Sequence, residues 1–372
     1  MMTKVKISRF QYFLLIPNLL FAKAIGITAG VTARSVGSDA WTSMSIGFLL
    51  GTAIILAMVY LHSRFPEKTI VQISEEVVGK WLGKLTGIVL ALFFILAFGA
   101  SANVMTMHLK EYFLVETPFW LICFVYTLLC MYGVFVGIEN IVRFSLFGLL
   151  GCLLINITMI FGTWGDFDLI NLLPVLDRGL SANIANSIYI FADLAMAILG
   201  IGMIYPLLNN KDKTFVISFW AMVLSGILIL IWPIMELGVI GSGAMQQYVV
   251  VCMQQVRCAQ LTRYLPRYEL IMVSFFTFTT FVQSATMYYC SVQSFQQSSG
   301  MLKNRQIIIL LLAIAMFLAT FLMANDHNNY IHFLAYPWAQ ICTILSLGLP
   351  VVLIMTALIR GKLKNKPTPA KT

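Results

Sequence analysis

The sequence predicts an all-α integral membrane protein with ten transmembrane helices. Three observations lead to this prediction: the composition, a series of long apolar segments, and the placement of the basic residues. Of the 372 residues, 60% are hydrophobic and 10% are charged, and the mean hydropathy is +0.88. Soluble domains carry about 25% charged residues, so this chain has too little polar surface to cover itself in water. It can fold only where lipid covers most of it.

Ten apolar segments are long enough to cross a bilayer, which takes about 20 mostly apolar residues for a hydrocarbon core of roughly 30 Å. They are numbered spans 1 to 10 in chain order: 11–33, 41–62, 84–107, 118–137, 142–163, 182–208, 215–241, 268–292, 305–323 and 334–359. Trp41, Trp164 and Trp338 stand near segment ends, where tryptophan commonly marks the membrane interface.

The basic residues predict the orientation of these spans. Seventeen of the 24 Lys and Arg residues fall on the side of the N-terminus, six fall on the opposite side, and Lys23 lies inside span 1. Basic residues collect in cytoplasmic loops, so both termini are expected in the cytoplasm. Residues 360–372 then form a basic cytoplasmic tail.

Two long loops suggest that a single membrane domain, 1–372, contains two copies of one five-span unit. Residues 63–83 follow span 2 and residues 242–267 follow span 7, so the two loops are equivalent if about 11–163 and about 182–359 are repeats. Five is an odd number, so the second copy would be inverted, as in many secondary transporters. Coincidence of loop lengths is the alternative. The first loop also predicts an amphipathic helix, with Ile70, Ile73, Val77 and Trp81 on one face.

Spans 1 and 6 are equivalent under this repeat and share an unusual composition. Each has two glycines and a proline: Gly26, Gly30 and Pro17 in span 1, and Gly200, Gly202 and Pro206 in span 6. Such residues in corresponding spans point to interrupted helices whose freed backbone groups bind a substrate. Unwound backbone is therefore expected at both glycine pairs.

Each of these two spans also carries one charge, Lys23 and Asp193. At 1.5 Å per residue, Lys23 lies roughly 18 Å and Asp193 roughly 21 Å from the cytoplasmic end of its span. An isolated charge at that depth costs at least about 2.5–3.5 kcal/mol, so we expect the two to face each other across a central site. A purely structural ion pair, or a misplaced span boundary, is the alternative.

Other polar residues within the spans are candidates for the same site. Thr277, Thr280 and Ser284 share one face of span 8, and Ser101 and Asn103 lie in span 3. Their side chains can bind a solute or a cation, or they can bond helix to helix and to their own backbone. The pattern does not separate these readings.

Glu236 lies near the outer end of span 7. It is a candidate for a proton or cation relay. The alternative is a carboxylate held at the water boundary.

The sequence gives no sign of an enzyme. It has no phosphate-binding glycine–lysine loop, HExxH, Gly-x-Ser-x-Gly or paired cysteine motif, and no metal-ligand spacing. No cofactor is expected. The net charge of +9 is spread over short loops and termini, so no nucleic-acid partner is expected either.

Several local sequences, in their order and spacing, resemble the B-subunit (spore permease) family of bacterial spore germinant receptors, a branch of the amino acid–polyamine–organocation transporters. The residues concerned are Trp41 at a short spacing after span 1, Phe113-Leu114 and Thr117-Pro118 before span 4, Asn171 to Val175 with Gly179, Pro206 closing span 6, and Arg267-Tyr268-Glu269 opening span 8. The chain departs from the family at Ala24-Ile25-Gly26, where a Gly-x-Gly is usual, at Ala33-Arg34, at Gly200 and at Val249-Val250.

This resemblance implies a LeuT-like bundle of ten helices with helices 1 and 6 broken, in the inner spore membrane. It implies a subunit that binds a germinant, an amino acid or sugar, and acts with A and C subunits to trigger germination through ion release. The ligand would contact Lys23, Ala24, Gly26, Asp193, Gly200 and Gly202. An autonomous proton-coupled amino acid transporter would use the same site. A structural scaffold would have no midplane cavity between spans 1, 3, 6 and 8.

Overall fold

A computed structural model describes residues 6–23, 27–248, 250–258, 268–300, 305–324 and 327–363. Its helices, α1 to α15 in chain order, are Arg9–Lys23, Ala29–Val36, Ala40–Arg64, Ile70–Val77, Lys80–Tyr112, Phe119–Val136, Ile138–Thr163, Gly179–Asn186, Ile188–Ile204, Thr214–Met245, Val251–Cys258, Tyr268–Ser299, Arg305–Ala324, His327–Phe333 and Ala339–Ile359. Within these ranges nine helical stretches have the length and composition to cross a membrane. The tenth span is the interrupted span 1, whose 15-residue α1 precedes α2.

Span 1 is described as two helices, α1 and α2, and we call the junction between them, which includes residues 24–26 outside the described ranges, the interruption of span 1. Gly30 lies within α2, so the unwound backbone predicted at this glycine was wrong. The helix α1 ends at Lys23, Ile27 and Thr28 form a π-type turn, and α2 begins at Ala29. Gly37, with φ +61°, then ends α2 and turns the chain into span 2. Positive φ is a conformation that glycine adopts without a steric penalty.

Span 6 also consists of two helices, but the position of the predicted break was wrong. The short α8 and the longer α9 meet at Ser187, and α9 runs unbroken from Ile188 to Ile204 through Gly200 and Gly202. A glycine inside a helix costs only about 1 kcal/mol, which flanking packing readily offsets. Pro206, which could break a helix, lies beyond it in a 3₁₀ turn.

The two halves of the chain make equivalent contacts, as an inverted repeat of five spans requires. Span 2 packs on span 6, and span 7 packs on span 1. Span 10 packs on span 6, and span 5 packs on span 1. The loop helices correspond too, since α4 packs on span 3 and α11 packs on span 8.

The amphipathic helix predicted after span 2 is α4. A capping box begins it, with the Thr69 side chain and Gln72 bonding each other's backbone N–H groups. Ile70, Ile73 and Val77 are buried as predicted. Trp81 was wrongly assigned to the same face: Gly79, with φ +118°, ends α4, and the 86% exposed Trp81 belongs to the next helix.

Two glycines of span 2, Gly47 and Gly51, allow span 6 to approach closely. A Cβ atom at Gly47 would lie 2.5 Å from the carbonyl oxygen of Ser187, and one at Gly51 would lie 2.2 Å from Leu194 Cδ1. Small residues at helix crossings are a common basis of packing within membranes. These contacts fix the part of span 6 that carries Asp193.

We therefore expect Gly51→Val to destabilise the protein by about 1–3 kcal/mol, because the added atoms overpack this crossing. Thermal unfolding of the purified protein in detergent measures the effect. Gly348→Val is the matched control, since a Cβ at Gly348 meets open space. Equal unfolding temperatures for the two variants would contradict the packing described.

Candidate solute-binding site

Asp193 of span 6 lies against the interruption of span 1. Its side chain is buried, and its Oδ2 atom accepts a 2.5 Å hydrogen bond from Oγ1 of Thr28. Thr28 directly precedes α2, so the carboxyl group touches the start of the second half of span 1. Spans 3 and 8 complete the surroundings: span 8 contacts spans 1, 3 and 6, and span 1 contacts spans 3 and 6.

Three of the predicted ligand-binding positions lie outside the described residues: the Lys23 side chain, Ala24 and Gly26. The backbone of Lys23 ends α1. The predicted pairing of Lys23 with Asp193 therefore stays a prediction.

Span 8 bonds to the backbone of α1 shortly before the interruption. Gln283 Nε2 donates to the carbonyl oxygen of Leu19 at 2.6 Å, and Thr279 Oγ1 lies 3.4 Å from that of Asn18. Asn18 in turn donates to the carbonyl oxygen of Ser145 in span 5 at 2.9 Å. The oxygens of the Asn18 and Gln283 side chains are buried without a hydrogen-bond partner in the part of the chain described. Two amides therefore fix this end of α1.

A second polar cluster joins spans 3, 4 and 8. The hydroxyl oxygens of Ser101 and Ser284 are 2.8 Å apart, and the Tyr126 hydroxyl donates to Ser284 Oγ at 3.1 Å. Asn103, two residues beyond Ser101, is fully buried, and neither atom of its amide has a partner among the described residues. Buried amides are normally hydrogen-bonded. Asn103 therefore carries one donor group and one acceptor that no described residue satisfies, on a different face of span 3 from Ser101.

Two of the other predicted positions, Thr277 and Thr280, form hydrogen bonds within their own helix. Thr277 and Thr280 donate to carbonyl oxygens of their own helix, those of Val273 and Phe276, at 2.9 and 2.8 Å. Thr277 Oγ1 also lies 3.8 Å from the Met105 sulfur atom of span 3, and Ser284 bonds to hydroxyl groups of spans 3 and 4.

Gly200 and Gly202 provide close packing within α9 in place of the unwound backbone that was predicted. A Cβ at Gly200 would lie 3.4 Å from Met287 Cε, and one at Gly202 would lie 3.2 Å from Ile70 Cβ. The Gly202 carbonyl oxygen is also 2.9 Å from His62 Nε2.

Glu236 of span 7 is fully buried, which contradicts a position at the water boundary. Neither of its carboxyl oxygens has a hydrogen-bond partner within the described ranges. The same holds for the indole nitrogen of Trp232, one turn earlier. A buried carboxylate without partners is costly, so this position suits a group that takes up and releases a proton or cation.

The loop helix α11 lies close to Glu236. Burial raises the pKa of the Cys252 thiol well above its ordinary value, and the charges of Glu236 and Glu111 raise it further. Cys252 Sγ is 3.9 Å from His108 Nε2 in span 3. These contacts place polar groups of spans 3 and 7 and of α11 in one buried region on the side opposite the N-terminus.

On the N-terminal side, the chain before span 1 is tied to the loop after span 6. The Ile7 N–H donates to the Leu207 carbonyl oxygen at 2.8 Å, and Asn209 N–H donates to that of Ile7 at 2.9 Å. Arg9 forms an ion pair with Asp212 at 3.2 Å.

On the opposite side, Arg34 of α2 closes onto the end of span 7. Its guanidinium group donates to the carbonyl oxygens of Gln246 and Tyr248 at 2.9 and 3.0 Å. Near the N-terminal side, one turn beyond Arg9, the hydroxyls of Tyr12 and Ser218 join spans 1 and 7 at 2.9 Å. Both halves of span 1 are therefore anchored to neighbouring segments.

Five residues that bond at this site were not predicted as site residues: Asn18, Thr28, Tyr126, Thr279 and Gln283. The sequence offered a signal for three of them. Asn18 follows Pro17 inside an apolar span, and Thr279 and Gln283 lie beside the positions chosen in span 8. The role of Tyr126 could not be predicted, because it depends on how span 4 packs against span 8, and the periodicity of the sequence does not reveal that packing.

Comparison with solved structures supports the description of the fold. MhsT, solved in complex with L-phenylalanine, superposes with a TM-score of 0.62 over 98% of this chain and 100% of that one, at 13% identity. Together with the ten spans and the interrupted span 1, this likeness defines a multi-pass membrane protein with the LeuT-like transporter fold.

Comparison with other sequences gives the family. The model of the family described as "spore germination protein" matches residues 6–328, so the chain belongs to the spore permease family of spore germination proteins. Spore germination protein YndE of Bacillus subtilis is 30% identical over 177 residues, which are 47% of this chain and 48% of that protein. In that match the chain therefore spans about half of its relative's length.

Two further relatives match over longer stretches. Spore germination protein KB of Bacillus subtilis is 24% identical over 310 residues, 77% of this chain and 80% of that protein. Spore germination protein GerQB of Bacillus cereus is 20% identical over 361 residues, 95% and 97% of the two chains. These longer matches agree with the assignment of the chain to the spore permease family.

We expect Thr28→Val to lower the free energy of unfolding by roughly 1–3 kcal/mol, because it removes a donor from the buried carboxyl group of Asp193. Thermal unfolding in detergent measures the loss. Thr343→Val is the control, since the Thr343 hydroxyl donates within its own helix, to the Ala339 carbonyl oxygen at 2.8 Å. A loss no greater than that of the control would mean that Thr28 does not support Asp193.

Proposed function

We propose that this protein is the transporter-like membrane subunit of a spore nutrient germinant receptor, and that it binds a small germinant at mid-depth between spans 1, 3, 6 and 8. Binding changes the contacts of the interrupted helices and triggers germination. The observation that carries the proposal is the buried Asp193 carboxyl group at the interruption of span 1 in a chain of this family.

The chemistry of the site favours an amino acid, with a sugar as the second class. A buried carboxylate suits the ammonium group of an amino acid, and helix ends at an interruption suit the charged groups of a zwitterion. The buried amide of Asn103, which no described residue bonds, can bond a carboxylate, a hydroxyl or an ammonium group. MhsT, which shares the fold, was solved with L-phenylalanine, and this supports an amino acid here.

The proposal extends to location and partners. We place the protein in the inner spore membrane with both termini in the cytoplasm, as the excess of basic residues on the N-terminal side favours. Germinant receptor A and C subunits would be its partners. The names of its relatives as spore germination proteins support this assembly.

The test is germination of a strain that lacks this gene and then regains it, exposed to a panel of amino acids and sugars. The wild-type gene should restore the response to one germinant or a few. Asp193→Asn should abolish that response or shift it to much higher germinant concentration, because the amide cannot pair with an ammonium group. Asp177→Asn, at an exposed position, is the matched control and should respond as wild type.

Two results would contradict the proposal. One is an unchanged germinant response in the Asp193→Asn strain, when the Asp193→Asn and Asp177→Asn proteins are both present at wild-type abundance in the inner membrane. The other is that the wild-type gene fails to restore any germinant response although the A and C genes are also present.

An autonomous proton-coupled amino acid transporter is the second candidate function, and Glu236 favours it. A fully buried carboxyl group without partners in the described part of the chain is suited to carry a proton through a transport cycle. The contacts of Arg9 on the N-terminal side and of Arg34 on the opposite side would then break alternately during the transport cycle.

We expect Glu236→Gln to change the free energy of unfolding by no more than about 1 kcal/mol, because glutamine keeps the shape of the side chain and no described residue bonds the carboxyl group. In proteoliposomes containing this chain alone, a transporter would take up amino acid when a pH gradient is applied, and Glu236→Gln would abolish that uptake. Absence of uptake by the wild-type chain, alongside a normal germination response in spores, would favour the receptor.

A further inference from the structure

An apolar groove of about 700 Å³ lies between spans 2 and 7, away from the candidate solute site. Its volume is in the range of roughly 300–1,000 Å³ that is typical of small-molecule pockets. Span 7 supplies most of its wall, from Phe219 to Met235, and span 2 supplies Phe48, Leu49 and Thr52. Along span 7 the groove extends for roughly 24 Å at 1.5 Å per residue.

The chemistry of the groove excludes a polar occupant. Its lining is apolar apart from Thr52 and Trp164 at one end. The Thr52 hydroxyl donates to the carbonyl oxygen of Phe48 at 2.8 Å, so it is already bonded. Gly226 leaves room beside Phe48, since a Cβ there would lie 2.9 Å from the Phe48 ring.

The end of the groove away from the N-terminus is covered by residues of the loop after span 5. The rings of Trp164 and Phe167 stack there, with centroids 6.1 Å apart and planes 10° apart. The loop is fastened to Gly238 of span 7: a Cβ at Gly238 would lie 2.2 Å from the Phe167 ring, and Asp168 N–H and Asn171 Nδ2 each donate to the Gly238 carbonyl oxygen at 3.0 Å. This lid of aromatic side chains is thus part of the fold.

The position of the groove within the membrane indicates which molecules can enter it. Its walls belong to two membrane spans, and its length exceeds one leaflet, which is half of a hydrocarbon core of roughly 30 Å. The side chains facing it are exposed there, with Ile227 at 63% and Leu49 at 70%. The groove ends at Trp164, and tryptophan is the residue type that commonly marks the level of the headgroups. One acyl chain of a single leaflet, about 15 Å deep, fits within this length, and a flexible hydrocarbon chain matches the polarity and access of the groove.

We propose that this groove binds one acyl chain of a membrane phospholipid, covered at its headgroup end by Trp164 and Phe167. The bound acyl chain would lie one helix away from the candidate solute site, because span 2 packs on span 6 and span 7 packs on span 1. The bound lipid is therefore in a position to stabilise the arrangement of both interrupted helices.

The test uses the full chain in nanodiscs of phosphatidylglycerol and phosphatidylethanolamine that contain a phospholipid with a diazirine on one acyl chain. After illumination, mass spectrometry of peptides locates the labelled residues. Labelling should concentrate on 219–235 and 164–167 and exceed that of the exposed face of span 9 several-fold. Equal labelling of all lipid-facing spans would overturn the proposal, since it would indicate general contact with lipid.

Two variants test the groove itself. Val223→Trp fills it at a position that is 36% exposed and should reduce labelling several-fold, whereas Val216→Trp, exposed on the same helix but outside the groove, should not. Gly238→Ala displaces the Phe167 ring and should also reduce labelling. Labelling that neither Val223→Trp nor Gly238→Ala changes would overturn the proposal, as would a partner subunit's helix cross-linked in the groove of the assembled receptor in place of lipid.

Discussion

The carboxyl group of Asp193, buried at the interruption of span 1, is the constraint on which the rest of this structure depends. A charge in the membrane core must find a partner, a water-filled cavity or a ligand. Thr28 provides one hydrogen bond because span 1 turns there from α1 into α2. The glycines of span 2 hold span 6 close, and the amides of Asn18 and Gln283 hold the end of α1. The packing thus serves to keep one polar group in place.

The sequence predicted the membrane fold well because lipid imposes a simple rule on it. Every backbone group must be satisfied within the segment, so the length and hydropathy of each segment suffice to find the ten spans. The interruption of span 1 and the helix Ile70–Val77 followed from composition and periodicity. The break of span 6 was wrongly placed at Gly200 and Gly202, since a glycine inside a helix indicates close packing as readily as unwinding.

The site was predicted less completely, because the partners of its polar residues depend on how the helices pack. Asp193 could be found because a charge in an apolar span is rare. Ser101, Asn103 and Ser284 could be named as polar residues, but their partners depend on how three helices cross. Glu236 appeared interfacial from its distance along the helix, whereas α11 and its neighbours bury it. Burial by a loop helix cannot be inferred from hydropathy.

The central claim is that a germinant binds where Asp193 meets the interruption of span 1. The most direct measurement is an electron cryo-microscopy structure of the assembled receptor with its germinant bound. We expect germinant density within hydrogen-bonding distance of the Asp193 carboxyl group and of the backbone between α1 and α2. Germinant density on a partner subunit, with Asp193 bonded as in the protein without germinant, would contradict it.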